Sequence, residues 1–381
     1  MPREPSGRVS KITQFIVMDV LEEARRMERA GENIIHLEIG EPDFDTPEPA
    51  RKAAIAAIEG GHIKYTPSLG LPELREAISA SFTKDYGVEV NPERIIVTAG
   101  SSNALFMALA SLIDTGDEVI IADPCYSCYP NFIRFLGGTP VYAQARESEG
   151  FQLTMESVKR KLSLKTKAII INSPSNPSGS MMGRHAMERL ASLGVSIVSD
   201  EIYHGLHYED KPTSILELPG DNIVINGFSK RYAMTGWRLG YAITPGNLVR
   251  PMQKLQQNLY ISASSVAQWA ALSAITECAS HVEEMRTVFN RRRLLMIDGL
   301  ERIGLKIAIR PKGAFYVFVD VSGFSGDSLS FAMEALAKAK VAVAPGVDFG
   351  PSGEGYIRLS YATSEENIKE GVRRLGAFLG R

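Results

Sequence analysis

Ala168-Ile-Ile-Ile-Asn-Ser-Pro-Ser-Asn176 and the later run Val195-Ser-Ile-Val-Ser-Asp200 decide the fold. Each is a short stretch of apolar, mostly β-branched residues that stops abruptly at small or polar ones, which reads as a strand buried on both faces. Working outward, the same pattern recurs in Ile95-Ile-Val-Thr-Ala-Gly100, Val119-Ile-Ile-Ala-Asp-Pro-Cys-Tyr126 and Ile223-Val-Ile-Asn-Gly-Phe-Ser-Lys230. Segments with helical spacing separate the runs, among them Ser101 to Leu112. Strands alternating with helices imply a mainly parallel sheet covered on both sides, with ligands at the carboxyl ends of its strands. Every run carries its polar residues at that end, so Asn176, Asp200, Ser229 and Lys230 are expected around one cleft despite their separation in sequence.

The flanks differ. From about Ala279 to Arg302 the charged, leucine-containing stretch predicts a long amphipathic helix with a solvated basic side. Beyond it, Ala314-Phe-Tyr-Val-Phe-Val-Asp320 and Gly355-Tyr-Ile-Arg-Leu-Ser360 read as strands of a smaller α+β unit, against which the N-terminal segment through about Pro49 is expected to pack. The expected division is a large domain over 48–285 and a small domain built from 1–47 and 286–381. A length of 381 residues agrees with two domains.

Composition narrows the function. With 42 basic and 44 acidic residues the chain presents no footprint for a polyanion or an anionic membrane, which argues against nucleic acid as a partner. The start, Met1-Pro-Arg-Glu-Pro-Ser-Gly-Arg, lacks the apolar core of a leader, and no stretch reaches the roughly 18 apolar residues of a membrane span. The expectation is a soluble, cytoplasmic protein. Cys125 and Cys128 form a C-x-x-C, but no second pair and no nearby histidine completes a metal site. They read as two reduced thiols in a loop, and no metal is expected.

Several residues carry chemistry. Lys230 ends a hydrophobic run; taken alone it reads more often as an ordinary solvated charge, but burial there would lower its pKa toward the neutral amine that attacks an aldehyde. Asp200 sits at the end of another, where a carboxylate must be paired; a helix cap, a salt bridge or a protonated heteroaromatic nitrogen would each serve. Tyr203 lies close enough to donate to a phenolate oxygen, and Tyr126 offers a face on which a planar ring can stack. Gly100-Ser101-Ser102, between strand and helix, suits either an N-cap or an anion at a helix N-terminus, with Arg238 either a charge for the same anion or a surface ion pair. Neither G-x-G-x-x-G nor G-x-x-x-x-G-K-[ST] occurs there. Arg358, with no acid beside it in Tyr356-Ile-Arg-Leu-Ser360, suits bidentate capture of a carboxylate or a salt bridge between domains.

Gly40-Glu-Pro-Asp-Phe-Asp-Thr-Pro47, Tyr65-Thr-Pro-Ser-Leu-Gly70, Asn172-Ser-Pro-Ser-Asn-Pro-Ser-Gly179, Asp200-Glu-Ile-Tyr203, Ser229-Lys-Arg-Tyr-Ala-Met-Thr-Gly-Trp-Arg-Leu-Gly240 and Tyr356-Ile-Arg-Leu-Ser360 occur in one order along the chain. With these motifs the sequence resembles the class I, fold type I, pyridoxal-phosphate-dependent aminotransferases over essentially its whole length. The resemblance implies an α/β fold whose large domain holds a mainly parallel seven-stranded sheet between helices. It makes Lys230 the lysine that carries pyridoxal 5'-phosphate as a Schiff base and then shuttles a proton. It pairs Asp200 with the pyridine nitrogen, and Tyr203 and Asn176 with the phenolic oxygen. It gives the phosphate to Ser101, Ser102, Ser229 and Arg238, with Tyr65 reaching it from a neighbouring subunit of a homodimer. Arg358, Asn176 and the backbone at Gly40 would clamp the substrate α-carboxylate.

The implied reaction moves an amino group from an L-amino acid to a 2-oxo acid by a ping-pong cycle, with 2-oxoglutarate the acceptor the family suggests. The same residues also serve carbon–sulfur β-lyases, which form the second reading. A non-catalytic regulatory module is a third, disfavoured by the retained Lys230 and by the absence of a DNA-binding segment ahead of residue 10. In one bacterial group of aspartate aminotransferases a lysine at the position of Ser102 reads the distal carboxylate; its absence here speaks against assuming aspartate.

Overall fold

Residues 5–381 are described by a computed structural model. Met1 to Glu4, part of the stretch read as lacking a leader, lie outside the described residues. The strands are Ile35–His36 (β1), Ile95–Thr98 (β2), Glu118–Asp123 (β3), Thr139–Gln144 (β4), Thr166–Asn172 (β5), Ser196–Asp200 (β6), Ile223–Gly227 (β7), Gly240–Ile243 (β8), Lys306–Ile307 (β9), Tyr316–Asp320 (β10), Val341–Ala342 (β11), Ala344–Pro345 (β12) and Tyr356–Ser360 (β13).

A seven-stranded sheet in the order β2-β8-β7-β6-β5-β3-β4 forms the centre of the molecule. It is parallel except at β8, which runs antiparallel to both β2 and β7. Its side chains alternate between two apolar layers. Ile120, Ile169, Ile197 and Val224 face one way, against the helices Pro72–Tyr86 and Ser265–Glu277. Val119, Ile121, Ile170, Val198 and Ile225 face the other, against Ser101–Leu112 and Cys128–Phe135. Burial on both faces is why these strands read as continuous apolar runs, and each such side chain contributes about 2 kcal/mol.

The second sheet, β12-β13-β10-β9, is four-stranded and antiparallel at every pairing. The long helix expected near its start runs over Ala279–Arg302 and buries Met285, Phe289, Met296 and Leu300 with the apolar side of β10. β1 pairs in parallel with β11, which ties the N-terminal segment to this part of the chain.

Register positions the cleft. Asn172 lies opposite Asp200, and Asp200 opposite Ile225, so the carboxyl ends of β5, β6 and β7 are level. β7 ends at Gly227, and Lys230 sits in the turn that follows, three residues past the strand it was read as ending.

One expectation is corrected. Cys125 and Cys128 do not share a loop: Cys128 opens the helix Cys128–Phe135, and Cys125 is buried ahead of it. Burial raises both thiols, Cys128 to about 11, so neither is a thiolate near neutrality. Among the described residues no cluster of ligands suits a metal ion, and no helix is long and apolar enough to cross a membrane.

Candidate active site

A cleft of about 480 Å³ opens at the carboxyl edge of the large sheet and is walled on its far side by β10, β13 and the N-terminal helix Ile16–Arg29. Gly40, Ser101, Ser102, Tyr126, Asn176, Asp200, Tyr203, Ser229, Lys230, Arg238 and Arg358 all line it, so the residues singled out from sequence are brought together. Tyr65 is not among them; it is 80% exposed, away from this chain's cleft.

Lys230 donates from Nζ to the Gly40 carbonyl at 2.6 Å. Burial lowers its pKa to about 8; the neighbouring charge of Glu41 opposes that fall, while Arg238 and Arg358 reinforce it. Asp200 is buried and accepts from the Tyr129 hydroxyl at 2.6 Å and from the Ile202 amide at 3.2 Å. Burial raises its pKa to about 6 in spite of those donors and of the Lys230 charge. Among the described residues neither group lies within 4 Å of an opposite charge, so the salt bridge weighed for Asp200 is not formed.

Ser101 and Ser102 begin the helix Ser101–Leu112, whose free backbone amides and dipole favour an anion. Close approach shapes this corner. A Cβ on Gly240 would stand 2.4 Å from the Ser101 nitrogen, and one on Gly100, at φ +90°, would stand 2.7 Å from Arg238 Nη2. Arg238 itself has φ +51°, a left-handed backbone that costs a non-glycine residue about 1 kcal/mol or more and aims its side chain at this corner.

Arg358, on β13, is buried without an acid. Its Nη1 donates to Asn176 Oδ1 at 2.9 Å, its Nη2 donates to the Glu38 carbonyl, and its Nε has no partner. The Tyr316 ring packs against the guanidinium at 4.4 Å. The interdomain salt bridge weighed for this arginine is therefore absent among the described residues, and the fork keeps capacity for an anion.

Sequence reasoning missed several members of the site. Tyr129 holds Asp200, and Tyr316 shares a hydrogen bond of 2.8 Å with Tyr203. Thr235 donates to Glu41, fixing a carboxylate beside Lys230. The wall formed by Val17, Met18, Leu21 and Arg25 was missed as well. The only signal for that wall was the apolar spacing of Val17, Leu21 and Ala24.

Comparison with known proteins gives the family of the chain. Residues 32–375 match the family described as aminotransferase class I and II. A (5-formylfuran-3-yl)methyl phosphate transaminase of Methanocaldococcus jannaschii is 46% identical over 380 residues, which is 99% of this chain and 100% of that protein. An aspartate/prephenate aminotransferase of Thermus thermophilus is 41% identical over 384 residues, covering 99% of each chain. The solved aspartate aminotransferase of Thermus thermophilus with maleate superposes with a TM-score of 0.94 at 40% identity, over 99% of this chain and 100% of that one.

Proposed function

The chain belongs to the class I and II aminotransferases, and on that premise we propose how its cleft residues divide the work of moving an amino group. Pyridoxal 5'-phosphate is the cofactor of the family. The donor set fits it. A lysine of depressed pKa, a buried carboxylate lacking a cation, and serine hydroxyls with an arginine at a helix N-terminus stand in a cradle that a Cβ at Gly100 or Gly240 would fill. Bound there, the cofactor supplies an aldehyde that takes up an amine and a protonated ring that accepts electrons.

Lys230 would hold the cofactor and, when free, would be the base that takes the proton from the substrate α carbon and delivers it two atoms away, the 1,3-shift that moving an amino group requires. Asp200, steadied by Tyr129, would keep the ring nitrogen protonated. Tyr203 and Asn176 would hydrogen-bond the ring oxygen, and Tyr126 would offer its face to the ring. Ser101, Ser102, Ser229 and Arg238 would hold the phosphate. Arg358, with Asn176 and the backbone at Gly40, orients the α-carboxylate. The observation that carries this assignment is the convergence in one cleft of Lys230, buried Asp200 and the carboxylate-free fork of Arg358, with Ser101, Ser102 and Arg238 at a helix N-terminus.

The acceptor in this reading is 2-oxoglutarate. The relatives' names cover a furan phosphate and aspartate or prephenate, so they leave the donor of this chain open. The test is a panel of amino acids offered with and without 2-oxo acid while the cofactor absorbance is followed. Bleaching by a donor and recovery on adding 2-oxo acid are expected. Release of pyruvate and a thiol with no acceptor present would replace the reading with a β-lyase.

We further propose a homodimer with shared sites, in which Tyr65 reaches the partner's phosphate. Ile55, Ile58, Ile63 and Tyr65, with Leu259, Tyr260 and Ile261, are large apolar side chains left between 42% and 80% exposed, more than a lone subunit ordinarily leaves in water. Division into 48–285 and 1–47 with 286–381 is supported by the seven-stranded sheet lying within the first span and the four- and two-stranded sheets within the second, and a cytoplasmic location by three unpaired cysteines.

A further inference from the structure

The helix Ile16–Arg29 presents Val17, Leu21 and Arg25 to the cleft at successive i, i+4 positions, so they lie on one face. At 1.5 Å per residue, Arg25 stands about 12 Å along the helix axis from Val17. The other end of this wall is fixed: Phe15 meets the Tyr126 ring edge-on, 6.0 Å between centroids, and Tyr126 is the residue placed against the cofactor ring. The wall thus starts beside the cofactor, continues over Val17, Met18 and Leu21, and ends in a cation.

That cation is solvent-exposed and free to meet a ligand. Of the four that line the cleft, Lys230, Arg238 and Arg358 are already assigned. Arg25 has no carboxylate within 4 Å among the described residues, whereas its neighbour Arg26 is paired with Glu23 at 2.6 Å. None of the carboxylates lining the cleft pairs with Arg25: Glu38 Oε1 meets His36 at 2.7 Å, Glu41 accepts from Thr235, and Asp200 from Tyr129.

We propose that Arg25 is the specificity residue for the amino-group donor, and that the donor carries a bulky apolar or aromatic body ending in an anion, a carboxylate or a phosphate ester. This rests on the assignment of Lys230 and Arg358 given above. An apolar wall that ends in a cation suits such a side chain better than the one-carbon arm of aspartate. It also explains how an anionic donor is read with Ser102 contributing no charge.

The test compares kcat/KM for L-phenylalanine, 4-carboxy-L-phenylalanine and O-phospho-L-tyrosine in the holoenzyme, its two charged arms separating carboxylate from phosphate ester. At least one charged donor is expected to exceed phenylalanine. Arg25→Met is expected to lower that ratio about 10- to 100-fold, as loss of a charge-assisted hydrogen bond does. Arg25→Lys should restore part of it, and Glu22→Gln, on the same helix outside the cleft, should leave it unmoved. The Kd of unreactive 3-(4-carboxyphenyl)propanoate relative to 3-phenylpropanoate should split in the same way. If R25M lowers all donors alike, or leaves the ratio untouched, the proposal for Arg25 fails while the active-site assignment stands. If no donor of any charge bleaches the cofactor, the assignment fails and takes the proposal with it.

Discussion

Replacing Asp200 by asparagine should make the cofactor-free protein more stable and the enzyme far slower. The side chain is buried, and its pKa rises from the ordinary 3.8 to about 6 because Tyr129 and Ile202 compensate only part of the lost hydration. A group whose folded pKa is raised binds more protons folded than unfolded. Its contribution is therefore fully present below about 4 and lost as pH climbs through about 6. The rise corresponds to about 3 kcal/mol of destabilisation by the ionised form near neutrality. Asparagine keeps the shape, keeps an oxygen for the Ile202 amide and carries no charge. Denaturant melts of the cofactor-free D200N and parent proteins should then coincide near pH 4 and separate by about 3 kcal/mol near pH 8, the variant being the more stable. The same variant, loaded with cofactor, should lose about 10²- to 10³-fold in kcat, because an amide cannot keep the ring nitrogen protonated. Parent and variant melts that coincide near pH 8, or a kcat within tenfold of the parent, would refute the reasoning.

Three further outcomes follow from the same geometry. Capture of pyridoxal phosphate by the cofactor-free protein should speed up about tenfold per pH unit and level off near 8, since only the neutral Lys230 amine attacks; a rate still climbing toward 10.5, the value of a solvated lysine, would contradict the depressed pKa. Arg358→Met should raise KM for every donor by about 10²-fold, with the smaller effect on kcat, because it removes a buried donor fork common to all substrates; steady-state kinetics on several donors checks this. Tyr65→Ala and Lys230→Ala subunits, each weak or inactive alone, should regain activity when refolded together, since one site of the hybrid then has both residues intact; no gain on mixing would contradict the shared site.

What the sequence made legible was set by burial. Strands β5 and β6 are covered on both faces, so their apolar runs announce them, and their first polar residues, Asn172 and Asp200, mark where the cleft begins. The strands that went unread lack that signature. Thr139–Gln144 is an edge strand in which only Ala143 is fully buried, and Gly240–Ile243 is short and reversed in direction. Lys230, Asp200, Arg238 and Arg358 were found because charges beside apolar runs demand an explanation. Tyr129 and Tyr316 were not, because an aromatic in a core needs none: their roles rest on partners 71 and 113 residues away. Arg25 was hidden for the opposite reason: an arginine in a charged helix reads as solvated, and it is, but the fold sets it at the cleft.

The central claim is that Lys230 carries the cofactor. Borohydride reduction of the loaded protein, followed by digestion and mass spectrometry, fixes the cofactor on the amine that holds it. The account expects one modified peptide, bearing the added pyridoxyl group at Lys230, and none from the Lys230→Ala protein. A label on any other lysine, or an unlabelled Lys230 in active enzyme, would contradict it.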